Sequence, residues 1–204
     1  MDGALLVTVR LVAVAAVAVA PGVMTCDRCG SHGFMRHGRL WRRLKDPDVP
    51  RVLVLRYQCK RCQQVRRVYP AGAGPDRLSA AVKQMVAFLH CAGLSYQNVA
   101  AVLRGLGVPV VPWSIGRILE GQDGGAGRPT RLRLRLAPSA DGWLRGPHGA
   151  VRFRLRREAD GARWLDAEIA PGANAPDLRD RLARCGEEFP PETAQTCSVK
   201  AALR

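Results

Sequence analysis

Two cysteine pairs, Cys26-Asp27-Arg28-Cys29 and Cys59-Lys60-Arg61-Cys62, stand 29 residues apart in the chain. Thiolates at this spacing can close a tetrahedron around one zinc ion. Each CxxC bends as a knuckle, and the segment between can fold back as a hairpin. Gly30 follows the first pair, where a knuckle turn favours a residue that tolerates positive φ. A closed four-cysteine site has no open coordination position, so the expected zinc folds the module and performs no chemistry. His32 and His37 lie in the same segment. Four sulfurs already satisfy the ion, so both histidines are read as surface residues.

The knuckles need strands to hold them. Phe34 to Leu44 and Arg51 to Tyr57 have strand character, separated by the turn-rich Lys45-Asp-Pro-Asp-Val-Pro50, and Gln63 to Tyr69 supplies a third strand. Together they predict a zinc ribbon over residues 24–70. Its cations include Arg36, Arg39, Arg42, Arg43, Arg51, Arg56, Arg61, Arg66 and Arg67, interleaved with Trp41 and Tyr57. So small a ribbon has little other use for so many cations, and Arg36, Arg39, Arg42, Arg43, Arg66 and Arg67 are the expected DNA-phosphate contacts.

Charge across the 204 residues supports that choice of partner. The net charge is +15, but residues 24–70 hold twelve Lys/Arg against three acids, whereas residues 158–204 hold six against nine. A basic front and a mildly acidic rear point to a polyanion bound at the front, nucleic acid before an anionic membrane surface. Arg, Ala, Gly and Pro are abundant, which a GC-rich coding sequence also produces. With four cysteines assigned to zinc, Cys91, Cys185 and Cys197 show no spacing that suggests a disulfide framework, so a cytoplasmic, reducing setting is expected.

Residues 1–23 carry the apolar run Leu11 to Ala20. It has the length of a signal-peptide core, but Pro21 would follow the cut and only Arg10 precedes it, and the run is short for a membrane span. Residues 1–23 are therefore read as an extension, with the module starting at Met24. Ala71 to Asp76 is a linker. Beyond it, Leu78 to Cys91 places Val82, Met85, Val86 and Leu89 on one helical face, Ser95 caps a second helix to Arg104, and Ser114 caps a third, Trp113 to Gly121. Residues 77–121 thus form a helix-turn-helix candidate, with Trp113, Ser114 and Arg117 as its DNA-reading face.

Gln122 to Thr130 is a Gly-rich second linker. Arg131 to Leu136 and Val151 to Leu155 alternate strictly, Asp160-Gly161 turns into a strand from Arg163 to Ala170, and Pro176 to Cys185 is helical. A fourth strand fits only in Thr193 to Val199. Asp166 and Glu168 alternate with the apolar side of their strand and are expected to be exposed. The fold class is therefore multidomain α+β: a small four-cysteine zinc ribbon, a three-helix helix-turn-helix, then an α/β opening over 131–204.

The order of these parts resembles the front of bacterial insertion-sequence transposases of the DDE type. The resemblance covers about residues 24–190 and rests on the CxxCG knuckle, the second CxxC after a basic segment, the helix-turn-helix core Gly93 to Ala100, the recognition element Gly107 to Ile118, and three strands containing Asp-Gly. It implies that residues 131–204 begin an RNase H-like catalytic domain, and that the protein binds double-stranded DNA at terminal inverted repeats. In such enzymes three carboxylates hold two Mg2+ ions. Asp141, in Ser139-Ala-Asp-Gly-Trp143, matches the first of them, although Pro138 interrupts its strand and Asp-Gly equally forms a turn. The stretch matching the second, Thr196 to Lys200, has no acid. The expectation is a truncated transposase that binds DNA but is catalytically incomplete, with Mg2+ needed only where a complete catalytic domain assembles. Two alternatives stand beside it. One is a nuclease completed by a homodimer partner, another chain or a downstream frame. The other is a stand-alone zinc-ribbon regulator that binds DNA or protein.

Overall fold

A computed structural model describes residues 5–120, 137–146, 149–170, 180, 184 and 199–201. In chain order the elements are β1 (Leu5–Arg10), β2 (Phe34–Arg43), β3 (Arg51–Cys59), β4 (Val65–Val68), α1 (Ala80–Cys91), α2 (Tyr96–Gly105), α3 (Pro112–Glu120), β5 (Ala137–Pro138), β6 (Leu144–Gly146), β7 (Gly149–Arg157), β8 (Arg163–Ile169) and β9 (Val199–Ala201). The architecture is mixed α and β, with two antiparallel sheets and three helices among the described residues. None of those helices is long and apolar enough to cross a membrane. The chain divides into two compact units, Ala13–Ala81 and Met1–Val12 with Val82–Arg204.

The first unit is the ribbon, a three-stranded sheet in the order β2-β3-β4. Its turn between β2 and β3 is built on Asp46. That buried carboxylate accepts the backbone N–H of Asp48 and of Val49 at 3.0 Å each, and the Ser79 hydroxyl at 2.5 Å. Such a self-bonded aspartate fixes a turn without a ladder, so the break after β2 is rigid. Leu44, Val52 and Val54 form a small core, with Val14, Val49, Tyr69 and Ala73 packed against it. The apolar segment before the first knuckle contributes directly: Leu53 N–H donates to Ala16 at 2.8 Å and Ala15 N–H to Ala71 at 2.9 Å. At Gly72 (φ 72) an added Cβ would collide with the Ala13 carbonyl, so this close approach requires glycine.

The second unit holds a six-stranded sheet, β5-β6-β7-β8-β1-β9, and every pairing in it is antiparallel. Leu5–Arg10, read from the sequence as part of an extension, pairs with β8 on one side and β9 on the other. Its Val7 and Val9 alternate inward and are buried with Val151, Phe153, Leu165, Ala167 and Ile169. A short aliphatic alternation merges into the apolar run that follows it, so composition hides the strand. The opposite face carries an ion ladder: Arg152 donates to Glu168 at 2.7 Å, and Arg156 to Asp166 at 2.9 Å. Asp166, expected to be exposed, is only 9% exposed. Arg156 lies over it and over the Trp164 ring, a cover that alternation alone does not reveal. Asp160-Gly161 makes the expected hairpin turn, with Gly161 at φ 83 and Ala162 N–H donating to the Asp160 carboxylate at 2.8 Å.

The helical run lies in this unit apart from the first turn of α1. Val82, Met85, Val86 and Leu89 are fully buried, as the three-and-four spacing predicts, and Val99, Leu103 and Ile115 are likewise fully buried. Ser95 caps α2 by accepting Asn98 N–H at 3.3 Å. Ser114 does not cap α3. The helix starts at Pro112, whose fixed φ and absent N–H suit a first helical position, and the Ser114 hydroxyl donates back to Val111 at 2.7 Å. The strand Arg131 to Leu136, the Gly-rich linker, and the helix Pro176 to Cys185 apart from Asp180 and Arg184 fall outside the described residues.

Candidate metal centre and basic face

The two knuckles are built alike. Gly30 N–H donates to the Cys26 carbonyl at 2.9 Å, and Gln63 N–H to the Cys59 carbonyl at 3.0 Å. Cys26 N–H then donates to Ser31, and Cys59 N–H to Gln64. Gly30 (φ 69) and Gln63 (φ 60) occupy the equivalent left-handed position in each knuckle. Glycine marks the first in the sequence. The second is carried by an ordinary residue and has no such signal, although the Gln63 side chain gains a bond to the Lys60 carbonyl at 3.1 Å.

This geometry brings Cys26, Cys29, Cys59 and Cys62 together, their sulfurs all within 4.8 Å of one another. The Cys26–Cys62 separation is 3.5 Å and the Cys29–Cys59 separation 3.7 Å. Both are far too long for a disulfide, which needs about 2.05 Å. They match a tetrahedron of sulfurs around a metal at about 2.3 Å, whose edges are about 3.8 Å. The four cysteines can therefore hold a metal ion.

The backbone prepares the sulfurs for that role. N–H groups of Cys62 and Arg61 point at the Cys59 sulfur and outweigh its burial, holding its pKa down to about 6. Those of Arg28 and Cys29 act in the same way on Cys26, which is also lowered. Cys29 receives one such bond, from Ser31, but burial and the neighbouring sulfurs raise it to about 11. Cys59 is thus disposed to be a thiolate, Cys26 is shifted in the same direction, and Cys29 has to lose its proton to solvent when a metal binds. His32 bonds Thr25 at 3.1 Å and stands outside the quartet.

Strand register separates the ribbon's cations into two sets. Directly opposite residues share a face, so the pairs Arg36↔Tyr57, Arg39↔Leu55, Trp41↔Leu53, Arg43↔Arg51 and Tyr57↔Arg66 place Arg36, Arg39, Arg43, Arg51 and Arg66 on one face with Trp41 and Tyr57. A bulge between Arg36 and Gly38 keeps Arg36 on that side. Arg42 and Arg67 belong to the other face. Arg42 donates to the Tyr69 hydroxyl and the Pro75 carbonyl, each at 2.8 Å, and stacks over the Tyr69 ring, so it braces the ribbon. Arg66 reaches the Thr25 carbonyl at 2.6 Å and Asp27 at 3.2 Å, tying β4 to the first knuckle.

In the helical run, Trp113 is 67% exposed and Arg117 stacks over its ring at 5.5 Å, while the Ser114 hydroxyl donates to the Val111 carbonyl just before α3. Asp141 lies in the tight turn between β5 and β6. Its carboxylate accepts the Ser139 hydroxyl, Trp143 N–H at 3.2 Å and Arg145 at 2.7 Å. The Ser139 hydrogen bond, followed by that of Arg145, lowers its pKa to about 2. Arg77, not singled out in the sequence, lines a cleft with Arg43, Lys45 and Arg51, a placement that depends on register and on the turn at Asp46.

No protein-family model matches the chain, and no curated protein and no solved structure is detectably similar to it.

Proposed function

We propose that this protein binds double-stranded DNA, that the metal in its cysteine quartet is a structural zinc, and that its ribbon and helix-turn-helix serve as the end-recognition front of an insertion-sequence transposase. The observation that carries DNA binding is the gathering of Arg36, Arg39, Arg43, Arg51 and Arg66 on one face of the metal-stapled sheet. Arg36, Arg39, Arg43 and Arg51 have no carboxylate partner among the described residues, so their charge is available to phosphates. The exposed Trp113–Arg117 pair on α3 supplies a second contact suited to a groove. Asp141 is committed to its own turn, which fits a role in binding rather than strand transfer by this chain.

The test is a mobility shift of a duplex carrying the neighbouring inverted repeat against a scrambled duplex, over a salt series. About one zinc per chain, preference for the repeat and a steep salt dependence are expected. Replacing Arg36, Arg39 and Arg43 by Gln should make the log–log salt slope shallower by about 3. An unchanged slope, or no binding to either duplex, refutes DNA recognition by this face. Equal affinity for the two duplexes refutes recognition of ends.

A further inference from the structure

The ribbon face holds two features that a duplex does not use fully. Trp41 is 59% exposed, in the middle of the arginine row between Arg39 and Arg43. At the end of the same row a cleft of about 600 Å³ opens, lined by Arg43, Leu44, Lys45, Pro50, Arg51 and Arg77. Four of its six lining residues are cationic and none is acidic. Asp46, in the adjoining turn, is buried and accepts the N–H groups of Asp48 and Val49 and the Ser79 hydroxyl.

We infer that this face is a track for a single, unpaired nucleic-acid strand, with a base stacked on Trp41 and a backbone phosphate seated in the cleft among Arg43, Arg51 and Arg77. The inference rests on the nucleic-acid reading above and extends it: the same arginines that meet a duplex also take an unpaired strand, and Trp41 is the residue that only the unpaired strand uses. An unpaired strand is argued on two grounds. Bases in a duplex are stacked on one another and offer no ring face, whereas unpaired bases stack readily on an exposed aromatic. The cleft between Arg43, Arg51 and Arg77 also suits a flexible strand, whose backbone can turn a phosphate into it.

The experiment uses the full zinc-loaded chain. Affinities are measured by fluorescence anisotropy for a mixed-sequence DNA strand of about 20 nucleotides, long enough to cover a single-strand site, a blunt duplex of that sequence, and poly-glutamate as competitor. Trp41→Ala is expected to weaken single-strand binding at least fivefold and to change duplex binding by less than twofold. Trp41→Phe, which keeps a ring, should restore most of the loss. Arg51→Gln combined with Arg77→Gln should make the single-strand salt slope shallower by about 1.4. Zinc content and circular dichroism confirm that each variant is folded, and Trp41 and Arg51 are surface positions.

Unchanged single-strand binding by Trp41→Ala, equal loss on strand and duplex, or displacement by poly-glutamate as effective as by DNA would each overturn the track while leaving duplex binding in place. Binding to neither form of DNA would overturn both readings.

Discussion

On the proposed zinc site, stripping the metal from the cysteine quartet should unfold the ribbon. The clustered apolar core of the ribbon is three side chains, Leu44, Val52 and Val54. At about 1.5–3 kcal/mol for each buried aliphatic side chain they contribute about 5–9 kcal/mol. A structural four-cysteine zinc site contributes about 10–16 kcal/mol at neutral pH, so the metal outweighs the packing. β2 and β3 hang on it at one end, because Phe34 pairs with Cys59 and Lys60 N–H donates to the Gly33 carbonyl at 2.9 Å. The assay is amide hydrogen exchange read by mass spectrometry, with and without a strong chelator. Peptides covering Phe34–Arg43 and Arg51–Cys59 should lose protection when metal is stripped. Peptides covering Gly149–Arg157 and Arg163–Ile169, which share no strand pairing with the knuckles, should keep theirs. Full protection of β2 and β3 in metal-free protein would overturn the dependence on metal and assign ribbon stability to packing.

Three further outcomes are expected. Asp46→Ala removes the acceptor for Asp48, Val49 and Ser79, and should lower ribbon stability by about 2–3 kcal/mol in urea melts, with Asp46→Asn costing less. Arg42→Gln breaks the bonds to Tyr69 and Pro75 and should cost about 1–2 kcal/mol while changing DNA affinity less than twofold, unlike Arg39→Gln. The Asp141 carboxyl, lowered from 3.8 to about 2, contributes stability that is present above about 3.8 and lost as pH falls through about 2. NMR titration should place its midpoint near the lower value, and Ser139→Ala should raise it.

The cysteine quartet is legible in the sequence because each CxxC fixes its own geometry locally and only the pairing of the two knuckles is long-range. The strands β2, β3, β7 and β8 and the helices α1 and α2 are legible from residue type and period, as at Val82, Met85, Val86 and Leu89. What period cannot supply is cover. Asp166 alternates outward yet is buried by Arg156, and Arg42 reads like its neighbour Arg43 until register assigns them to opposite faces. The same limit applies to Asp141, where Asp-Gly allows either a strand end or a turn, and the Ser139 and Arg145 contacts accompany the turn. Leu5–Arg10 was hidden because its partners β8 and β9 lie far along the chain, where no local signal refers back to it.

That last pairing also sets an order of assembly. Every residue of β1 meets a β8 partner more than 150 positions downstream, from Leu5↔Ile169 to Arg10↔Trp164. During synthesis at about 5–20 residues per second, β1 waits about 8–30 s for β8 to be made. In that interval the ribbon and the helical run are complete in the nascent chain, whereas an aliphatic strand with Val7 and Val9 has no ladder to join. The sheet is therefore the slow, high-contact-order step, and β1 is the segment that a chaperone or an unwanted strand would capture first.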